Sequence, residues 1–208
     1  IKSGMANKCL VIGSDTLSRV TEDNDRDSMI YADGSGAIIL ESNNSDDSGI
    51  LSHNSATYTF EGENEFIYYG SSYNPKLSKD SNQKYIKMQG RKVYEFALTN
   101  VPSAMKDCFD ESKCKIENLK KIFIHQANKK MDEAIIKRFF RLYKMSPPKD
   151  VLPMNIEEYG NSSVATIPTL FDLVKKSDYK GHKLVKGDLI MFASVGAGMN
   201  INAITYQI

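Results

Sequence analysis

The chain has little of what marks the commonest site types. Its 208 residues hold three cysteines, Cys9, Cys108 and Cys114, too few and too irregularly spaced for a disulfide framework or a zinc site. That usage predicts a reducing cytoplasm. No CxxC or HExxH occurs, so no metal is expected. No apolar run approaches the ~20 residues that span a bilayer, and no signal-peptide layout opens the chain. Charge of one sign is lacking too: a formal net charge of +1 argues against nucleic-acid binding driven by overall charge. DGSGA is not GxGxxG, and no Walker-type lysine follows it. Asp23, Asp25 and Asp27 alternate without the glycine and distal glutamate of a calcium loop. GNSSVA does not supply the GxSxG of a serine hydrolase.

What is present describes an ordinary globular protein, 41% hydrophobic and 25% charged, long enough to bury a sizeable core. Ile1 is not a methionine, and IKSGMANKCLVIGSD reads as a helix end, a glycine stop and a buried strand. This predicts one piece of a longer polypeptide. DGSGAIILES and GILSHNSATYTF read as further strands, whereas the polar stretch 61–84 reads as a surface excursion that carries specificity. RKVYEFALTNVPSAMKDCF puts Val93, Phe96, Ala97 and Val101 on one helical face. KKIFIHQAN is a strand whose end presents His125 and Asn128. It is followed by a helix with Met131, Ile135, Phe139 and Leu142 as its apolar stripe. VLPMN looks strand-like, YGNSS opens another helix, and KGDLIMFASVGAGMNINAITYQI gives a hairpin around a glycine turn. Strands alternating with helices predict the α/β class.

In open α/β sheets ligands gather beyond the carboxyl ends of strands. HQAN, GNSS and VGAG all fall at such ends. A lone histidine after an apolar run is ordinarily a core or capping residue, and Gly-Asn is a common turn pair. Only their convergence makes His125 and Asn161 candidates. Lys130, Lys137, Arg141 and Lys144 recur at helical spacing after HQAN. Most such faces are merely solvated, but this one lies beside a strand-end site and would suit an acidic or phosphate-bearing partner.

KSGMANKCLVIGSD, YADGSGAIIL, Met88-Gln89-Gly90, IHQAN, YGNSS and GDLIMFASVGAGM, in that order, resemble the thiolase-fold condensing enzymes of the β-ketoacyl-acyl-carrier-protein synthase III group. The resemblance covers essentially the whole chain, and HQAN followed by GNSS carries most of it. It implies the last strands of an N-terminal βαβαβ half over residues 1–45, incomplete, and a complete C-terminal thiolase-like half over 46–208. It implies an acyltransferase of fatty-acid synthesis initiation. In that group a cysteine is acylated by an acyl-CoA, and a histidine and an asparagine promote decarboxylation of malonyl-acyl-carrier protein. Those catalytic roles fall to His125 and Asn161. The oxyanion hole falls to Gly196 and Ala197, where relatives usually have glycine at the second position. Arg26 matches an arginine that packs on the CoA adenine, and Asn128 a residue on the pantetheine arm. Lys130, Lys137 and Arg138 match positions that dock the acyl carrier protein, whereas Glu95 replaces a further basic residue. No cofactor is implied beyond the substrates acyl-CoA and malonyl-acyl-carrier protein, and the complete protein would be a homodimer.

The acylated cysteine lies upstream of the KSG segment in relatives, before Ile1. Cys9 reads as a buried small residue, and Cys108 and Cys114 flank a helix end far from the glycine motifs. The chain alone is therefore expected to be inactive in condensation, and to expose sheet edge and apolar surface. Two further readings compete: an enzyme of secondary metabolism that elongates or joins long acyl chains, and a non-catalytic partner subunit. Retention of both His125 and Asn161 opposes the latter.

Overall fold

The computed structural model describes residues 1–43, 48–78 and 82–208. Strands β1 (Lys8–Asp15) and β2 (Gly34–Glu41) form an antiparallel pair in register from Lys8 opposite Glu41 to Asp15 opposite Gly34. The main sheet has four strands in the order β3 (Gly49–Thr57), β8 (Asn200–Gln207), β7 (Leu189–Gly196) and β6 (Leu119–Ile124). The β3/β8 and β8/β7 pairs are antiparallel, and β7/β6 is parallel. A short ribbon, β4 (Ile67–Gly70) with β5 (Tyr85–Met88), lies apart from it.

Three helices sandwich the main sheet. Helix α1 (Gly90–Glu111) and helix α2 (Lys129–Leu142) pack together on one face, and α3 (Thr166–Lys176) covers the other and also meets β2. Strands β6 and β7 are therefore buried on both sides, which is why LKKIFI and LIMFASV read as near-continuous apolar runs. Side chains alternate across the pleat. Ile122, Ile124 and Met191 join Val101, Met105, Phe109, Ile135 and Phe139 in the larger core, while Phe123 and Ile190 join Leu170 and Val174 in the smaller.

The expected helical face of α1 is buried throughout, at Val93, Phe96, Ala97 and Val101. Pro102 stands inside this helix and has no N–H to give the Leu98 carbonyl one turn back. The Arg138 side chain of α2 fills that role, its Nη1 donating to Leu98 O at 2.8 Å.

Three expectations need correction. In α2 the apolar stripe runs through Met131, Ile135, Ile136, Phe139 and Phe140, while Leu142 is 45% exposed. Tyr143 takes its place, edge-on to Phe139 and Phe109, its hydroxyl donating to Asp110 Oδ1 at 2.7 Å. VLPMN is not a strand. The Ile122 N–H reaches the Val151 carbonyl at 2.7 Å, but Pro153 has no N–H with which to continue a ladder. The KCLVIGSD strand is largely exposed, and Cys9 only partly buried. One face of β1/β2 packs on the 163–165 turn and α3, whereas Leu10, Ile12 and Ile39 on the other are uncovered among the described residues.

The glycines of DGSGA have a packing reason rather than a phosphate-binding one. A Cβ on Gly34 would stand 2.6 Å from Ser162 Cβ, and one on Gly36 would stand 2.6 Å from Pro168 Cγ. Only glycine lets β2 approach the start of α3 so closely.

Candidate active site

His125 follows the last residue of β6, and its N–H extends the ladder to the Ala193 carbonyl at 2.9 Å. The next residues divide the remaining work. Gln126 is fully buried; its Nε2 donates to Ile124 O at 3.0 Å, and its Oε1 accepts from Asn155 N at 3.0 Å. It thus ties the strand end to the segment leading into YGNSS. Asn128 caps α2, its Oδ1 accepting from the N–H groups of Lys130 at 3.1 Å and Met131 at 3.2 Å. Among the described residues its amide nitrogen has no acceptor, and Asn128 lines the cavity.

Asn161 is buried and held by its backbone. Its N–H donates to Ile30 O at 2.8 Å, and its carbonyl accepts from Ala32 N at 2.9 Å. Gly160 before it has φ +63°, and a Cβ there would stand 3.1 Å from Ala32 Cβ. The Asn161 Oδ1 accepts from Ser163 N at 2.9 Å. That bond assigns the two amide atoms, and among the described residues no acceptor takes up Nδ2.

The His125 ring is partly buried, with Nδ1 2.8 Å from the Thr166 hydroxyl. Burial pushes its pKa down to about 4, so the imidazole is neutral near pH 7. Tyr31, beside Asn161, is pushed up to about 12 by burial first and then by Asp27 and Asp25, which keeps its phenol protonated.

His125, Asn128, Asn161 and Tyr31 share one cavity of about 570 Å³. His125, Asn161, Gly196, Ala197, Arg26, Asn128 and Lys130 all line it. The fold therefore brings together seven of the nine site residues read from the sequence. Lys137 and Arg138 lie further along α2, exposed and outside the cavity. None of the three cysteines lines it among the described residues. Cys108 is buried beside Ser52 and Thr205 in the core. Thr166 and Tyr31 were not anticipated: a hydroxyl on the first residue of a helix and a tyrosine before a strand carry no local signal.

Sequence models of one family match both ends of the chain: 3-oxoacyl-[acyl-carrier-protein] synthase III over residues 1–59, and its C-terminal part over residues 109–208. The chain belongs to the 3-oxoacyl-[acyl-carrier-protein] synthase III family.

Among its relatives, the β-ketoacyl-[acyl-carrier-protein] synthase III of Streptococcus gordonii is 32% identical over 203 residues, which is 96% of this chain and 59% of that protein. The β-ketoacyl-[acyl-carrier-protein] synthase III 2 of Staphylococcus epidermidis is 36% identical over 201 residues, 96% of this chain and 58% of that protein. The crystal structure of the Aquifex aeolicus synthase III superposes with a TM-score of 0.80 at 27% identity, covering 100% of this chain and 60% of that one. The fold is thus thiolase-like, and the chain spans about three fifths of the length of these synthase III relatives. No helix among the described residues is long and apolar enough to cross a membrane.

Proposed function

We propose that this chain supplies the decarboxylating side of a Claisen condensation between an acyl thioester and malonyl-acyl-carrier protein. The observation that carries the reading is the convergence of His125, Asn161 and the Gly196–Ala197 turn on one cavity. The malonyl thioester carbonyl sits between the His125 Nε2 and the Asn161 Nδ2. The bond from the malonyl methylene to its carboxylate breaks, carbon dioxide leaves, and the electron pair becomes an enolate. Two hydrogen-bond donors aimed at the enolate oxygen stabilise that charge where it forms. The enolate carbon then attacks the acyl thioester and forms the carbon–carbon bond. The Ala197 amide receives the tetrahedral oxyanion as the cysteine thiolate departs. That cysteine is not among the three of this chain.

For a neutral His125 to donate through Nε2, Nδ1 must be the acceptor. The Thr166 hydroxyl stands 2.8 Å from Nδ1 and 3.0 Å from the Ser163 carbonyl and has one proton to give; donation through Nε2 requires that this proton go to Nδ1 rather than to the carbonyl. Thr166 is on this account the residue that sets the tautomer.

In the same reading the acyl donor is an acyl-CoA. Arg26 meets its adenine, Asn128 its pantetheine arm, and the exposed Lys130 and Lys137 meet the acidic carrier protein. Arg138 contributes there only with the guanidinium nitrogens that Leu98 leaves free. The uncovered apolar face of β1/β2 suits the homodimer expected of the complete protein.

The test uses the complete synthase with its cysteine. His125→Ala and Asn161→Ala should each lower malonyl decarboxylation by on the order of 10²–10³-fold, while acylation of the cysteine stays measurable. Equal loss of both half-reactions would overturn the assignment.

A further inference from the structure

Behind the wall of the cavity lies a buried ion cluster that the condensation chemistry does not use. Lys87 of β5 is 3% exposed, with Nζ 2.5 Å from Glu22 Oε2 and 3.3 Å from Asp25 Oδ2. The ammonium also stands 3.5 Å from the ring centre of Tyr73. Glu22, 6% exposed, accepts from the Ser72 hydroxyl, from Tyr73 N at 2.9 and 3.0 Å, and from Asn74 N at 3.4 Å. Ile86 N donates to Val20 O at 2.7 Å. Three segments distant in sequence are thereby tied together: 20–25, 72–74 and β5.

Two of these segments, β5 and 20–25, continue into the cavity wall. Ile86 and Met88 line it, while Lys87 between them points to the opposite face, as strand alternation requires. Asp25 caps the short helical turn Arg26–Ile30, its Oδ1 accepting from Asp27 N at 3.0 Å. Arg26, Asp27, Met29 and Ile30 of that turn line the other side. Among the described residues no side chain holds the Arg26 guanidinium, so its position is set by the turn alone.

Burial pushes the Glu22 carboxyl up, but the bonds from Lys87, Ser72, Tyr73 and Asn74 outweigh it and bring its pKa to about 2. Burial likewise lowers Lys87, and its two carboxylate partners more than restore it. A cluster of this kind gains little net stability, because desolvation offsets most of the attraction. Its directional bonds do specify one arrangement of the segments that carry them.

We infer that Glu22, Lys87 and Asp25 form a clamp that positions the Arg26 turn against the Ile86–Met88 wall and so sets affinity for the nucleotide end of CoA. Lys87 and Glu22 are positioning residues, since neither lines the cavity. The inference rests on the reading that Arg26 meets the CoA adenine.

Titration calorimetry of the purified protein with CoA, and with 4′-phosphopantetheine, which lacks the nucleotide, separates the possibilities. Lys87→Met and Arg26→Ala should each weaken CoA about tenfold, and Lys87→Met should change phosphopantetheine less than about twofold. In the Arg26→Ala background Lys87→Met should add nothing, because both act through one contact. Removing Lys87 alone strands two buried carboxylates, so the neutral pair Lys87→Met with Glu22→Gln keeps the test open should the single variant fail to fold. Equal weakening of both ligands, additive losses in the double variant, or unchanged CoA binding by the folded neutral pair would each overturn the clamp. If Arg26→Ala leaves CoA binding unchanged, the CoA reading fails and takes the clamp with it. If Arg26→Ala weakens CoA and the clamp variants do not, the clamp alone fails.

Discussion

At His125 the charge state and the hydrogen-bond geometry are set by different neighbours. Burial holds the ring neutral, with a pKa near 4 against an ordinary 6.5, and the Thr166 hydroxyl at 2.8 Å is the hydrogen-bond partner of Nδ1. An unfolded chain takes up this proton near pH 6.5 and the folded chain only near 4, so the unfolded state binds more protons between them. Stability contributed by the neutral ring is full above about pH 6.5 and is lost as the pH falls toward 4. A histidine-resolved NMR titration should find His125 still neutral at pH 5, and an ordinary midpoint would contradict the buried setting. Thr166→Val should lower decarboxylation by about tenfold or more, since a donor aimed at developing charge is lost from part of the population. Thr166→Ser should restore it, and full activity in the valine variant would show that Nδ1 needs no partner. His125 and Asn161 were legible in the sequence because their motifs are short and contiguous. Thr166 was not, because it meets His125 across 41 residues.

At the scale of elements, a polar contact from α2 repairs a gap in the hydrogen bonding of α1. Pro102 removes the partner of the Leu98 carbonyl, and Arg138 replaces it. Arg138→Ala should therefore cost about 1–3 kcal/mol in urea unfolding, the usual penalty for stranding a desolvated carbonyl. In a Pro102→Ala background, where the helix regains its own N–H, the same change should cost clearly less; equal costs in both backgrounds would sink the account. Helical periodicity located both helices and most of their buried faces. It misassigned the last turn of α2, where Leu142 and Tyr143 compete for one place and the ring of Tyr143 has Phe109 and Asp110 to meet. The apolar pattern of VLPMN likewise suggested a strand, but pairing beside β6 needs an N–H that Pro153 does not have.

For the whole molecule, the distribution of burial is uneven. Strands β6 and β7 of the main sheet are covered on both faces, whereas β1/β2 presents Leu10 at 62%, Ile12 at 60% and Ile39 at 67% exposure. An apolar face of this kind on a paired strand favours association. The 208-residue chain should sediment as a concentration-dependent mixture of oligomers, and Leu10→Lys with Ile39→Lys should shift it toward monomer. A monodisperse monomer at tens of micromolar would contradict this.

The sequence by itself determined the alternation of strands and helices, the strands β6 and β7, and the HQAN, GNSS and VGAG motifs that meet at the cavity. Those features follow from local periodicity and from motifs a few residues long. Only the tertiary structure decided which His125 nitrogen is partnered, what Arg138 is bonded to, and that Glu22 and Lys87, 65 residues apart, are buried together. Each depends on water being excluded by segments far away in the chain. In a linear reading those charges look like any solvated ones, because nothing local to them says what will cover them.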